Sequence, residues 1–71
     1  MSETLKILAE NLRYYRREKG WTQICLSEKI GRHQSYISLI ENSKVDVSLS
    51  VLGKLARVLS VKPDDLVKRR G

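Results

Sequence analysis

Gln34, Ser35 and Ser38 share one face of a short helical segment, and their chemistry is recognition rather than covalent reaction. A glutamine amide bonds adenine through N6 and N7 together, and a serine hydroxyl bonds several bases. Leu39 also lies off the apolar stripe; it is either a contact to a thymine methyl or a singly exposed leucine. Gln23 heads the preceding segment, where its amide and the free N–H groups of a helix start suit a phosphate oxygen. Arg32, Asn42 and Lys44 flank the same face as phosphate donors, and Arg32 also matches a guanine edge. Tyr36 is expected half in the core with its hydroxyl at the rim near phosphate. His33 is a further phosphate donor or a pH sensor, with a plain loop position at the helix entry as the simpler reading.

Covalent chemistry has little to draw on. No nucleophile and base are paired beyond chance, and no glycine loop cradles a phosphate. Cys25 and His33 are the only soft metal ligands, too few for a zinc site. The chain is therefore expected not to be an enzyme and to use no cofactor and no metal. A single cysteine precludes an internal disulfide and fits a reducing cytoplasm. Met1-Ser2-Glu3-Thr4 lacks the basic-then-apolar layout of a secretion signal, and no apolar run approaches the ~20 residues of a membrane span. The 14 Lys+Arg against 8 Asp+Glu give a net charge of +6, which favours a polyanionic partner.

The elements that must position these residues all read as helices. Leu5, Leu8, Leu12 and Tyr15 recur at helical spacing opposite Lys6, Glu10, Arg13 and Arg17, which predicts a first helix over Thr4 to Lys19 stopped by Gly20. Thr22 is an N-cap, with Trp21 before it and Leu26 after it at the spacing of a hydrophobic staple. Leu26 and Ile30 form the inward stripe, and Gly31 ends the second helix. A third helix covers Gln34 to Asn42, with Ile37, Ile40 and Glu41 on its inner face. After the loop from Ser43 to Val47, Ser48 caps a fourth helix whose inward residues are Leu49, Leu52, Leu55, Ala56 and Leu59. Gly53 within it costs about 1 kcal/mol against alanine, and a close helix contact there is an open reading. Pro63, Asp64 and Asp65 start a short fifth helix carrying Leu66 and Val67. The expectation is one all-α, compact five-helix domain over residues 1–71, with its core at about 5–67 and a frayed basic tail at 68–71. Two short helices joined by a glycine turn, on so basic a chain, point to a helix that enters the major groove of DNA.

Leu12, Arg16, Gly20, Thr22-Gln23, Leu26, Gly31, Ser35-Tyr36-Ile37-Ser38, Ile40-Glu41 and Ser48-Leu49 together resemble the phage-repressor-like (Cro/CI-type, Xre-like) helix-turn-helix family, with Leu55-Ala56, Leu59, Val61 and Leu66 adding its C-terminal half. The similarity runs from about Leu8 to Leu66. It implies a lambda-repressor-like fold and a regulator that binds double-stranded DNA as a homodimer on a palindromic operator. Stand-alone members of this length resemble phage-type repressors, small autoregulators or restriction–modification controllers, and Val47-Ser48-Leu49 leans towards the controllers. The resemblance also implies a phosphate role for Gln23. Helical spacing puts Arg16 and Glu41 at the edge of the core, and the resemblance implies that they pair. Arg32, His33, Ser27 and Ser43 depart from the family pattern; Ser43 stands where glycine is usual and Ser27 where alanine is usual.

Val58, Val61, Leu66 and Val67 are the candidate dimer surface; the other reading of all four is core. A two-fold dimer would hold recognition helices about 34 Å apart, one turn of DNA. The competing function is an antitoxin-type module that neutralises a toxin and represses its own operon, with an unknown protein partner. RNA recognition would want aromatic stacking platforms, yet the chain has no Phe and Trp21 is engaged in the staple. A membrane role wants a basic amphipathic helix with an unengaged apolar face, which the pattern does not offer. The operator, the inducing signal and the choice between activation and repression leave no mark in the residues.

Overall fold

The computed structural model describes residues 3–70 and holds α1 (Glu3–Glu18), α2 (Gln23–Ile30), α3 (Gln34–Glu41), α4 (Leu49–Leu59) and α5 (Pro63–Val67). Met1, Ser2 and Gly71 lie outside the described residues, and with them the ends of the expected 1–71 domain and the last residue of the 68–71 tail. The all-helical expectation holds, and among the described residues there is no strand.

Each helix ends where local chemistry stops it. After α1, Gly20 takes φ 74°, and the N–H of Trp21 returns to the carbonyl of Arg16 at 3.2 Å. The Thr22 hydroxyl accepts the Cys25 N–H at 3.0 Å and so caps α2. Gly31, at φ 71°, turns the chain out of α2, and the Arg32 N–H reaches back to the Ser27 carbonyl at 2.9 Å. Ser48 caps α4 by accepting the Val51 N–H at 3.1 Å. Asp65 accepts the Lys62 N–H at 3.0 Å at the start of α5, which lowers the Asp65 pKa; a bond from Lys68 lowers it further.

These stops let α2 cross α3 and let α1 lie against both α3 and α5. Leu8, Leu12, Leu26, Ile37, Ile40, Leu55, Leu59 and Leu66 meet in one core, all fully buried. Truncating any of them to alanine is the kind of change that costs about 2–5 kcal/mol. Ser27, in alanine's usual place, is buried at no polar cost because its hydroxyl donates to the Ile24 carbonyl at 2.7 Å.

Several expectations change. Leu49 is not inward: it is 86% exposed, and Val51 is buried in α4 instead. Leu49 is the first residue of the helix, where Cα–Cβ bonds lean past the open end and away from the core. Leu66 is not surface: it is fully buried among the core residues, so it leaves the candidate dimer set. Val58 and Val61 are half-buried against the core, and Val67 remains exposed. Gly53 makes no close contact, since an added Cβ would meet nothing within 4 Å.

The basic tail is docked rather than frayed. Asn11, buried on α1, donates to the carbonyls of Leu66 at 3.0 Å and Lys68 at 2.7 Å and accepts from Arg70 Nε at 2.9 Å. Arg70 also lies 3.9 Å over the Tyr14 ring, and Arg69 pairs with Glu3. Asn11 satisfies two backbone carbonyls at the end of α5 that would otherwise face the core edge unpaired. Sequence reasoning passed over it because a lone asparagine within a helix carries no distinctive pattern.

Candidate nucleic-acid interface

α3 is held by its inner face, and its outer face is left free. Ile37 and Ile40 are fully buried, while Gln34, Ser35 and Leu39 are exposed and Ser38 is half-buried. Helical spacing therefore brings Gln34, Ser35, Ser38 and Leu39 to one surface, as the pattern predicts.

The entry to α3 is made by His33, which is more than a loop residue. Its Nδ1 lies 3.1 Å from the Ser35 N–H and 2.9 Å from the Ser35 hydroxyl. The backbone N–H must donate, so Nδ1 is the unprotonated nitrogen and Nε2 carries the hydrogen. His33 thus replaces the usual Ser, Thr or Asp cap and keeps an outward N–H donor. Beside it, the Arg32 guanidinium lies 4.7 Å over the half-buried Tyr36 ring. That stacking holds an exposed cation at the N-terminal end of α3.

At the other end, the Asn42 amide donates to the Ser38 carbonyl at 2.8 Å and to the Ser38 hydroxyl at 3.3 Å. The Asn42 amide nitrogen is thereby turned back onto Ser38, so a phosphate role for Asn42 competes with these bonds. Ser38 keeps its hydroxyl hydrogen for an outside acceptor. Ser43 follows with φ 60°, the left-handed conformation that glycine adopts without strain. Lys44 is exposed just beyond it.

Behind α3 lies a charged cluster at the edge of the core. Arg16 grips Glu41 with two bonds, Nε to Oε2 at 2.7 Å and Nη2 to Oε1 at 3.0 Å. Its Nη1 donates to the Trp21 carbonyl at 2.8 Å. The bond to Glu41 raises the Arg16 pKa above its ordinary value, against the opposing effect of burial. Arg13, which the pattern puts on the outer face, donates to the Glu41 carbonyl at 2.7 Å and so closes the C-terminal end of α3. Its spacing of three from Arg16 was the available signal, because residues three apart share a helix side.

Gln23 joins this cluster to the reading face. Its Nε2 donates to Glu41 Oε1 at 3.1 Å, and its Oε1 accepts from Gln34 Nε2 at 3.1 Å. The residue expected to contact phosphate therefore also ties the start of α2 to both ends of α3. Cys25 is half-buried and unpaired. Among the described residues no group of three or more His, Cys, Asp or Glu gathers as a metal site, and no helix is long and apolar enough to cross a membrane.

Known proteins resemble this chain in sequence and fold. The family described as Helix-turn-helix (HTH_3) matches residues 12–66. The chain is 39% identical over 66 residues to control protein C.SmaI of Serratia marcescens, spanning 93% of this chain and 79% of that one. The crystal structure of the restriction-modification controller protein C.AhdI from Aeromonas hydrophila superposes with a TM-score of 0.83 at 34% identity, covering 87% of this chain and 94% of that one. The structure of the hypothetical transcription factor NHTF from Neisseria gives a TM-score of 0.89 at 32% identity, covering 93% of this chain and 76% of that one. A Neisseria meningitidis hypothetical transcription factor is 36% identical over 55 residues, 78% of this chain, which spans 52% of that protein's length.

Proposed function

The chain belongs to the Helix-turn-helix family HTH_3, a family of DNA-binding transcription regulators, and from that premise we propose that it is a non-catalytic, cytoplasmic, sequence-specific regulator that binds a palindromic operator in double-stranded DNA as a homodimer and controls its own transcription. The reading is that of a restriction–modification controller or a phage-type repressor. One observation carries it: α3 turns Gln34, Ser35, Ser38 and Leu39 outward, with its entry capped by His33 and flanked by the stacked Arg32. Gln34 and Ser35 contact bases from the first turn of α3, where such helices reach base edges. Ser38, Leu39 and Arg32 extend the base contact. Gln23, Tyr36, Lys44 and His33 position the protein on phosphates, with Asn42 in reserve.

The exposed apolar side chains Val67 and Leu49, together with the half-buried Val58 and Val61, support self-association. Likeness to the Serratia and Aeromonas control proteins supports the controller reading.

The test is selection from a duplex library of random sequence, with sedimentation of the free protein alongside. The expected result is a palindrome whose half-sites lie about one helical turn apart. Sedimentation should show a dimer. Binding without any consensus, or a monomer at high protein concentration, contradicts the proposal.

A further inference from the structure

Two donors of Ser35 share one acceptor at the entry to α3. The Ser35 N–H reaches His33 Nδ1 at 3.1 Å, and the Ser35 hydroxyl stands 2.9 Å from the same nitrogen. A backbone N–H only donates, so Nδ1 carries a lone pair and no hydrogen. The hydroxyl must then donate as well, because its hydrogen is the only one that can lie between the two atoms. One lone pair serves both donors, a three-centre arrangement common at helix ends. Ser35 thereby spends its hydrogen on the cap. From the exposed first turn of α3 it turns outward an oxygen that only accepts.

We propose that His33 fixes the polarity of Ser35, so that Ser35 selects an amino base, and that protonation of the imidazole undoes that choice. The inference rests on α3 being the helix that meets base edges. His33 is a positioning residue here; Ser35 touches the base. In the major groove adenine N6 and cytosine N4 donate, whereas guanine and thymine offer acceptors. An accept-only Ser35 therefore takes adenine or cytosine and rejects guanine or thymine. With a proton on Nδ1 the ring donates to the Ser35 oxygen, and the hydroxyl hydrogen turns out towards guanine O6 or thymine O4. The titratable groups on the adjoining segments are Glu28, Lys29, Arg32 and Tyr36. Lys29 lies over the Trp21 ring and Arg32 over the Tyr36 ring. Among the described residues no carboxylate pairs with His33, so no anion locks the ring in its charged form.

The random-duplex selection tests this at about pH 8 and about pH 5, on either side of the range in which histidine changes charge. Wild type, Ser35→Ala, Gln34→Ala and His33→Asp are compared, each with a thermal melt at both pH values. The position read by Ser35 is the one whose preference Ser35→Ala erases. At pH 8 wild type should favour adenine or cytosine there by roughly twofold to tenfold, and at pH 5 it should lose or reverse that preference. The position that Gln34→Ala erases should not move with pH, which a general loosening of α3 would not spare. His33→Asp puts an accept-only cap in place of the ring and should keep adenine or cytosine at both pH values. Guanine or thymine at pH 8, the same wild-type preference at both pH values, or a His33→Asp preference that shifts as wild type does overturns the inference and leaves the reading of α3 standing. So does a Ser35→Ala that alters no position while Gln34→Ala alters one. If neither alters any position, the reading of α3 falls and takes the inference with it.

Discussion

Replacing Glu41 by alanine should be among the costliest single changes at the reading helix, and the reason is the charge left behind. Arg16 is 9% exposed and gives Glu41 two bonds at 2.7 Å and 3.0 Å. In Glu41→Ala those donors lose their acceptor while the guanidinium stays charged and buried. Breaking such a pair costs about 3–5 kcal/mol. A chain of this length has roughly 4–11 kcal/mol of total stability, so from about a quarter to all of it is at stake. At about 4–8 °C per kcal/mol, the thermal midpoint should fall by about 12–40 °C. The assay is thermal and urea unfolding followed by circular dichroism. The reasoning makes a second demand: if the cost lies in the orphaned charge, Arg16→Met combined with Glu41→Leu should recover most of the loss. Salt should change the deficit little, because buried pairs are weakly screened. Equal midpoints for wild type and Glu41→Ala would refute the account. A double variant as unstable as Glu41→Ala would refute the orphaned-charge explanation in particular.

Three further outcomes are expected. Gly53→Ala should stabilise the fold by about 1 kcal/mol, since the new methyl meets nothing and helix propensity improves; a lower melting midpoint would contradict this. Ser43→Gly should also stabilise, by about 1 kcal/mol, because Ser43 holds φ 60° at a cost glycine avoids; urea unfolding reads the change, and destabilisation would contradict it. Asp65, whose pKa is lowered by the Lys62 N–H and by Lys68, contributes stability above its unfolded pKa that disappears as pH falls through the folded value. Asp65→Ala should therefore melt below wild type at neutral pH, with the gap narrowing as the pH falls below the ordinary carboxylate range; a gap unchanged in acid would contradict the assignment.

Most of the fold was legible because its signals are local. Thr22, Ser48, Gly20 and Gly31 act on their own neighbouring backbone, so their roles follow from residue type and position. The inner face of α3 follows from spacing alone. What stayed hidden depends on groups distant in sequence. Asn11 meets carbonyls at 66 and 68, and Arg13 meets Glu41, across separations that no periodic pattern encodes. Leu49 was misplaced because periodicity carries no knowledge of where a helix end runs out of neighbours. His33 was underrated because imidazole is an uncommon cap, although its Nδ1 has the one acceptor the position needs. The link from Gln34 to Glu41 runs through Gln23 on α2, and only the folded chain lays α2 against α3.

The central claim is that the outer face of α3 reads base sequence, and equilibrium binding of wild type and Gln34→Ala to a selected operator and to a scrambled duplex, across a salt series, tests it most directly. The account predicts that Gln34→Ala weakens operator binding by roughly tenfold to a hundredfold. It also predicts that the scrambled duplex and the salt slope stay unchanged, because Gln34 carries no charge to release counterions. Equal weakening on both duplexes, or none on either, would contradict it.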